Sequence, residues 1–183
     1  MNRLLLVLFL AASAIGSVAA HPASRNEQAT NQGGDQFLDG IGETGLIARY
    51  VFDGNAEDSS RNQLHATLRG QGGVFVEDGS RRVLLLTGEG SHAELPSSAL
   101  AGEDALAVTA WLYLPTRASG PIFDFGQGLN TRLMASVDAQ QNLRAGALVG
   151  GVIRAETPAT PLVENRWSHL AVVLDPANRV LTA

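Results

Sequence analysis

Asp53, Asn55, Asp58 and Asn62 fall within one short stretch, and side-chain oxygens of this kind are the hard ligands that calcium takes. An EF-hand register fails there. Counted from Asp53, the sixth position is Asp58 where that loop needs glycine, and the twelfth is Leu64 where it needs glutamate. The same residue types also make Asx-turns that satisfy backbone donors, so a turn-forming reading stands beside the metal one. A second group is aromatic. Trp111 and Tyr113 alternate along the chain, as do Trp167 and His169, and rings that share one open face of a sheet can stack on a sugar ring or seal a sheet edge. A third group is cationic: Arg132, Arg144 and Arg154 occur once in each of three successive apolar-patterned segments. If those segments are neighbouring strands, the guanidinium groups form a row able to grip carboxylate or sulfate. Asp138 and Glu156 are the carboxylates that would otherwise pair with them. His65 also lies in a strand pattern, while His21 and His92 have no evident partners.

The elements that must position these residues are strands. Short runs of period-2 alternation recur between turns rich in Gly, Asn, Asp and Pro, with no sustained helical period. The expected strands are Leu46–Phe52, His65–Leu68, Val74–Val76, Arg82–Thr87, His92–Leu95, Leu106–Leu114, Ile122–Phe125, Thr131–Asp138, Leu143–Leu148, Val152–Glu156, Trp167–Leu174 and Arg179 onward. Such a series implies an all-β antiparallel sandwich. Alternation predicts that Leu106, Val108, Ala110, Leu112 and Leu114 face the core, with Trp111 and Tyr113 opposite. Likewise Thr131, Leu133, Ala135 and Val137 should share one face, with Arg132, Met134, Ser136 and Asp138 on the other.

The N-terminus reads differently. Residues 1–20 show a short basic start at Arg3, an apolar run from Leu4 to Leu10, and small residues up to Ala20, which together read as a cleavable secretory signal lying outside the fold. Residues 21–44 are rich in Asn, Gln, Gly, Ser and Thr and read as a flexible linker. Residues 45–183 are one domain's worth of chain. No cysteine is present, so no disulfide scaffold is possible. Every basic side chain is arginine, and the net charge of −5 argues against nucleic acid or an anionic membrane surface as the main partner.

LIARYVFDGNAEDSSRNQLHATL, starting at Leu46, resembles the opening of laminin-G-like jelly-roll domains of the concanavalin A-like lectin/glucanase superfamily. VLLLTGEGSHAELP, LAVTAWLYLP, PIFDFGQG and RWSHLAVVLD follow in the order that this resemblance expects. It implies a concanavalin A-like jelly roll over residues 45–183, and a further closing strand beyond the segment around Val180. The expectation is therefore that the chain is a fragment of the domain. The resemblance also implies a calcium bound structurally or bridging a ligand, with Asp53, Asn55, Asp58 and Asn62 as its ligands here; otherwise no cofactor is expected.

Glucanases of the superfamily carry a Glu-x-Asp-x-x-Glu strand, because nucleophile and acid/base carboxylates must stand about 5 Å apart. No such pattern occurs, nor do the lyase-type Arg-Ser/Thr-Glu-x-Arg and Tyr-x-Lys motifs. The resemblance thus implies a non-catalytic carbohydrate-binding module, secreted, periplasmic or at the cell surface. It would bind glycan or polysaccharide, with Trp111, Tyr113, Arg132, Arg144 and Arg154 as the candidate contacts. The alternatives are a structural or adhesion module recognising a surface protein and, third, a glycan-active enzyme of unfamiliar motif. No membrane insertion is expected once the signal is removed.

Overall fold

Period-2 burial organises the fold. From Leu106 to Leu114 every second residue is buried, at Leu106, Val108, Ala110, Leu112 and Leu114, while Trp111 is exposed between them. The computed structural model describes residues 4–10, 45–71, 73–88, 90–101, 103, 105–115, 119–127, 131–150, 152–175, 177–178 and 180–183. In chain order the strands are β1 (Leu4–Leu10), β2 (Ala48–Arg49), β3 (Thr67–Arg69), β4 (Gly73–Asp78), β5 (Arg81–Leu86), β6 (His92–Glu94) and β7 (Leu106–Tyr113). There follow β8 (Gly120–Gln127), β9 (Thr131–Val137), β10 (Asn142–Val149), β11 (Val152–Glu156), β12 (Thr160–Pro161), β13 (Trp167–Asp175) and β14 (Val180–Thr182).

Two antiparallel sheets carry the core. One runs β14-β13-β7-β1-β5-β4, with β2 also on β1, and the other runs β11-β10-β9-β8, with β12 on β10. β3 and β6 form a small ribbon. Ala48, Tyr50, Leu84, Val108, Leu112, Leu170 and Val172 from the first side meet Ile122, Phe123, Leu133, Ala135, Val137, Leu143 and Ala145 from the second in one apolar cluster. That is the two-layer solution for sheets with one apolar face. The all-β sandwich expectation therefore holds.

Two strands were not among those expected from sequence. β12 is only two residues long, too short to show alternation. β1 is the apolar run assigned above to a secretory signal outside the fold. In the structure it is a central strand, with Leu5–Phe9 opposite Tyr113–Thr109 of β7 on one side. On its other side Leu4–Leu6 lie opposite Leu86–Leu84 of β5, and Phe9 and Leu10 opposite Arg49 and Ala48 of β2. An uncharged apolar run fits a strand between two neighbours as well as it fits a signal, since both environments exclude water. The expected linker, residues 21–44, lies outside the described residues.

The expected first strand, Leu46–Phe52, is shorter than its pattern. Only Ala48 and Arg49 pair in a ladder, and Tyr50 makes an isolated bridge with Asp58. Phe52, with φ of 57°, then turns the chain while its ring stays buried and stacked on Tyr50, the centroids 5.8 Å apart. Left-handed backbone at an aromatic residue is disfavoured, and burial of the two rings offsets that cost.

Candidate functional site

The cross-strand register of β7 and β13 builds an aromatic face. Trp167 stands opposite Tyr113, and His169 opposite Trp111. Both pairs lie on the side away from the core, because Leu112, Leu170 and Val172, of opposite parity, are buried. The rings meet: Trp111 and His169 have centroids 5.0 Å apart at 59°, and Tyr113 and Trp167 are 5.5 Å apart at 52°. Tilted cross-strand pairs of this type each contribute about 0.2–1 kcal/mol to the sheet. The structure thus joins two ring pairs, each legible in sequence, into one patch of four rings. Trp111 stays 43 % exposed, the one aromatic among the exposed large apolar side chains described.

Sequence reading missed two further members, Asp78 and Arg81. They face each other across the tip of the β4–β5 hairpin, whose turn is Gly79-Ser80. Gly79 has φ of 65°, the kind of backbone that tight hairpin turns demand and glycine supplies without strain. Leu5 lies opposite both Leu85 and Tyr113, so Arg81, four residues before Leu85, falls on the aromatic face. The Trp167 indole donates to the Asp78 carboxylate at 3.0 Å, and the Arg81 guanidinium lies 5.4 Å from the centre of the Trp167 ring. The DGSR turn was visible in sequence, but its approach to Trp167 is a long-range contact that no local pattern reveals.

The loop that follows β2 is built around Asp58. This buried carboxylate accepts from the Arg49 and Ser60 backbone N–H at 2.8 Å each, the Ser60 hydroxyl at 2.8 Å and the Leu64 N–H at 2.9 Å. Burial alone would raise its pKa, but those hydrogen bonds outweigh burial and hold it below the ordinary aspartate value. Tyr50 closes the loop from beneath by donating its hydroxyl to the Leu64 carbonyl. Burial first, and the Asp58 charge second, push the Tyr50 pKa upward, so it stays a proton donor. His65 accepts from the Asp58 N–H through Nδ1 at 3.1 Å.

The other calcium candidates are equally engaged. Asp53 accepts from the Arg82 N–H at 3.1 Å, Asn55 from the Glu57 N–H at 3.1 Å, and Asn62 donates to the Leu46 and Ile47 carbonyls at 2.9 and 2.8 Å. Among the described residues no three His, Asp or Glu side chains gather where they could share a metal ion. As arranged, the four side chains do not fit a calcium ion: they hold the loop's own backbone.

The arginines do not form a row. Arg132 lies opposite Leu148, and Arg144 opposite Ser136, so they sit four rungs apart, roughly 13 Å along the strands. Antiparallel pairing is the reason. It sends residues near the start of β9 to the end of β10, whereas the row required them to match. Arg132 is paired bidentately with Asp124, and Arg144 with Asp138 at 2.8 Å and Glu156 at 3.7 Å. The Arg144 hydrogen bond, helped by the Asn142 N–H, lowers the Asp138 pKa to about 2. Arg154 belongs to β11 beside the register shift between Ala147 and Leu148, and its side chain lies outside the described residues.

Comparison with known proteins adds one positive finding. A protein-family model described as the concanavalin A-like lectin/glucanases superfamily, of the laminin-G type, matches residues 87–182, just over half of the chain. That segment contains all four rings of the aromatic face but neither the Asp78–Arg81 hairpin nor the Asp58 loop. No curated protein and no solved structure matches the chain.

Proposed function

Because the chain belongs to the concanavalin A-like lectin/glucanase superfamily, we propose that it is a non-catalytic, exported carbohydrate-binding module that holds glycan on its aromatic face. The observation that carries this reading is the convergence of Trp111, Tyr113, Trp167 and His169 on one outer sheet face, with Trp111 left 43 % exposed. A pyranose ring has an apolar face of C–H groups and a polar rim. An exposed indole beside an imidazole offers the matching surface, apolar in the middle with hydrogen-bonding groups at its edge. Ring–ring contacts hold each side chain before any ligand arrives, so little rotamer freedom is lost on binding.

The non-catalytic part of the proposal is supported by the sequence, which lacks the paired-carboxylate strand of the glucanases. Export is supported by the signal-like pattern of residues 1–20; cleavage there would remove β1, so deletion of residues 1–20 also tests this part of the proposal. The test is retention of the protein in gels containing single polysaccharides, compared with the Trp111→Ala variant. Slowed migration on at least one neutral or acidic polysaccharide, weakened about tenfold by that substitution, is the expected result. Unaltered migration across a broad panel would remove the proposal.

A further inference from the structure

We propose that the aromatic face takes an anionic glycan, an oligosaccharide containing uronate, whose carboxylate is held by Arg81 while a neighbouring ring lies on Trp111. This deepens the carbohydrate-binding reading and rests on it. The arginines differ in how they are engaged. Arg69, Arg132 and Arg144 are ion-paired with Glu94, Asp124 and Asp138. Arg81 is exposed, and its guanidinium lies over the Trp167 ring. A guanidinium held against a ring face by its charge keeps N–H groups for the fork geometry that a carboxylate matches.

The support beneath Arg81 is prebuilt. Asp78 faces it across the hairpin tip, but gives a carboxylate oxygen to the Trp167 indole N–H at 3.0 Å. Asp78 therefore fixes the indole, and the indole presents the guanidinium. The site's charge is local, since a chain with net charge −5 repels anions at long range. Recognition must then come from a close contact and weaken with added salt.

Trp111 and Tyr113 are two residues apart on one strand, about 6.6 Å, Trp167 stands opposite Tyr113, and the Arg81 guanidinium lies 5.4 Å from the centre of the Trp167 ring. The ring on Trp111 and the carboxylate on Arg81 are proposed as belonging to neighbouring sugars of one chain. Arg81 and Asp78 lie outside the segment shared with the family, so this preference would belong to this chain rather than to the family at large.

The experiment uses the full chain and matched polymers: polygalacturonate, alginate and hyaluronan, each beside its carboxyl-reduced form, in affinity electrophoresis at low and high salt. The expected result is retention on at least one uronate, roughly tenfold weaker on its reduced form and in Arg81→Gln, with Arg81→Lys intermediate because a point charge replaces the fork. An unchanged melting temperature in Arg81→Gln shows that the fold is intact. Equal retention of a uronate and its reduced form, or an Arg81→Gln variant that binds uronate normally, overturns the anionic assignment and leaves glycan binding standing. Absence of retention on every polymer, neutral or acidic, overturns both.

Discussion

Replacing Asp58 tests whether the loop after β2 is held by its own carboxylate. Four donors converge on that group at 2.8–2.9 Å: the N–H groups of Arg49, Ser60 and Leu64 and the Ser60 hydroxyl. Hydrogen bonds to a charged group each contribute about 1.5–3 kcal/mol net, and an orphaned buried donor costs about 1–3 kcal/mol. In Asp58→Asn the amide oxygen can keep the Arg49 and Ser60 N–H groups. The new NH2 faces the Ser60 hydroxyl, which can rotate to accept, and the Leu64 N–H, which cannot. One orphan plus the lost charge predicts a cost of about 2–3 kcal/mol. Asp58→Ala strands all four donors; with water reaching the part-buried Arg49 and Leu64 groups, the cost is about 4 kcal/mol, a large share of an ordinary domain's 5–15 kcal/mol. Urea unfolding followed by tryptophan fluorescence reads both values. The pH dependence has a definite sign. The folded-state pKa of Asp58 is depressed, so its contribution is present above the unfolded value near 4 and is lost as pH falls through the folded value. The gap between the parent chain and Asp58→Asn should therefore narrow between about pH 6 and pH 3. Comparing the two removes the parallel contributions of Asp138 and Asp175, which are also depressed. An Asp58→Asn variant as stable as the parent, or a gap that ignores pH, would refute the reasoning.

Three further outcomes follow from the same geometry. Millimolar calcium should leave the melting temperature where a chelator leaves it, because Asp53, Asn55, Asp58 and Asn62 are already spent on chain donors or carbonyls; a rise of several degrees would mean that the loop rearranges around the ion. Deleting residues 1–20 removes the strand between β7 and β5, so the shortened chain should unfold at a lower temperature and less cooperatively by circular dichroism. An equally stable shortened chain would show that the sheet closes without β1. The chain has neither Lys nor Cys to titrate above pH 9. The raised pKa of Tyr50 gives stability that is full below about pH 10 and falls as pH rises beyond it. Tyr50→Phe, at a cost of about 1 kcal/mol, should flatten that alkaline loss, and a variant with the same alkaline loss as the parent would exclude Tyr50 as its source.

What was legible in the sequence was whatever is local. Alternation in Leu106–Leu114 put the right residues in the core and Trp111 and Tyr113 outside, and it did the same for Leu133, Ala135 and Val137. Register was not legible. Strand order alone suggests an arginine row, whereas antiparallel pairing offsets Arg132 from Arg144 by four rungs. The Asp58 loop shows a different limit. Asp, Asn and Ser are the residue types of a calcium loop and of a loop that satisfies itself, and only the direction of each oxygen separates the two. Leu4–Leu10 shows a third: an uncharged apolar run suits a signal and an interior strand alike. The contact between Asp78 and Trp167 joins residues far apart in sequence and comes only from the assembled sheet.

The most direct test of glycan binding on the aromatic face is the affinity of Trp111→Ala for whichever polysaccharide retains the parent chain, measured by titration calorimetry. Trp111 is 43 % exposed. Taking a tryptophan as ~250 Å², about half of that exposed surface covered by a sugar ring is ~50 Å², or ~1.3 kcal/mol, close to tenfold in affinity. A loss of that order is expected, with the melting temperature nearly unchanged. Binding that survives the substitution at full strength would mean that the ligand sits elsewhere and would contradict it.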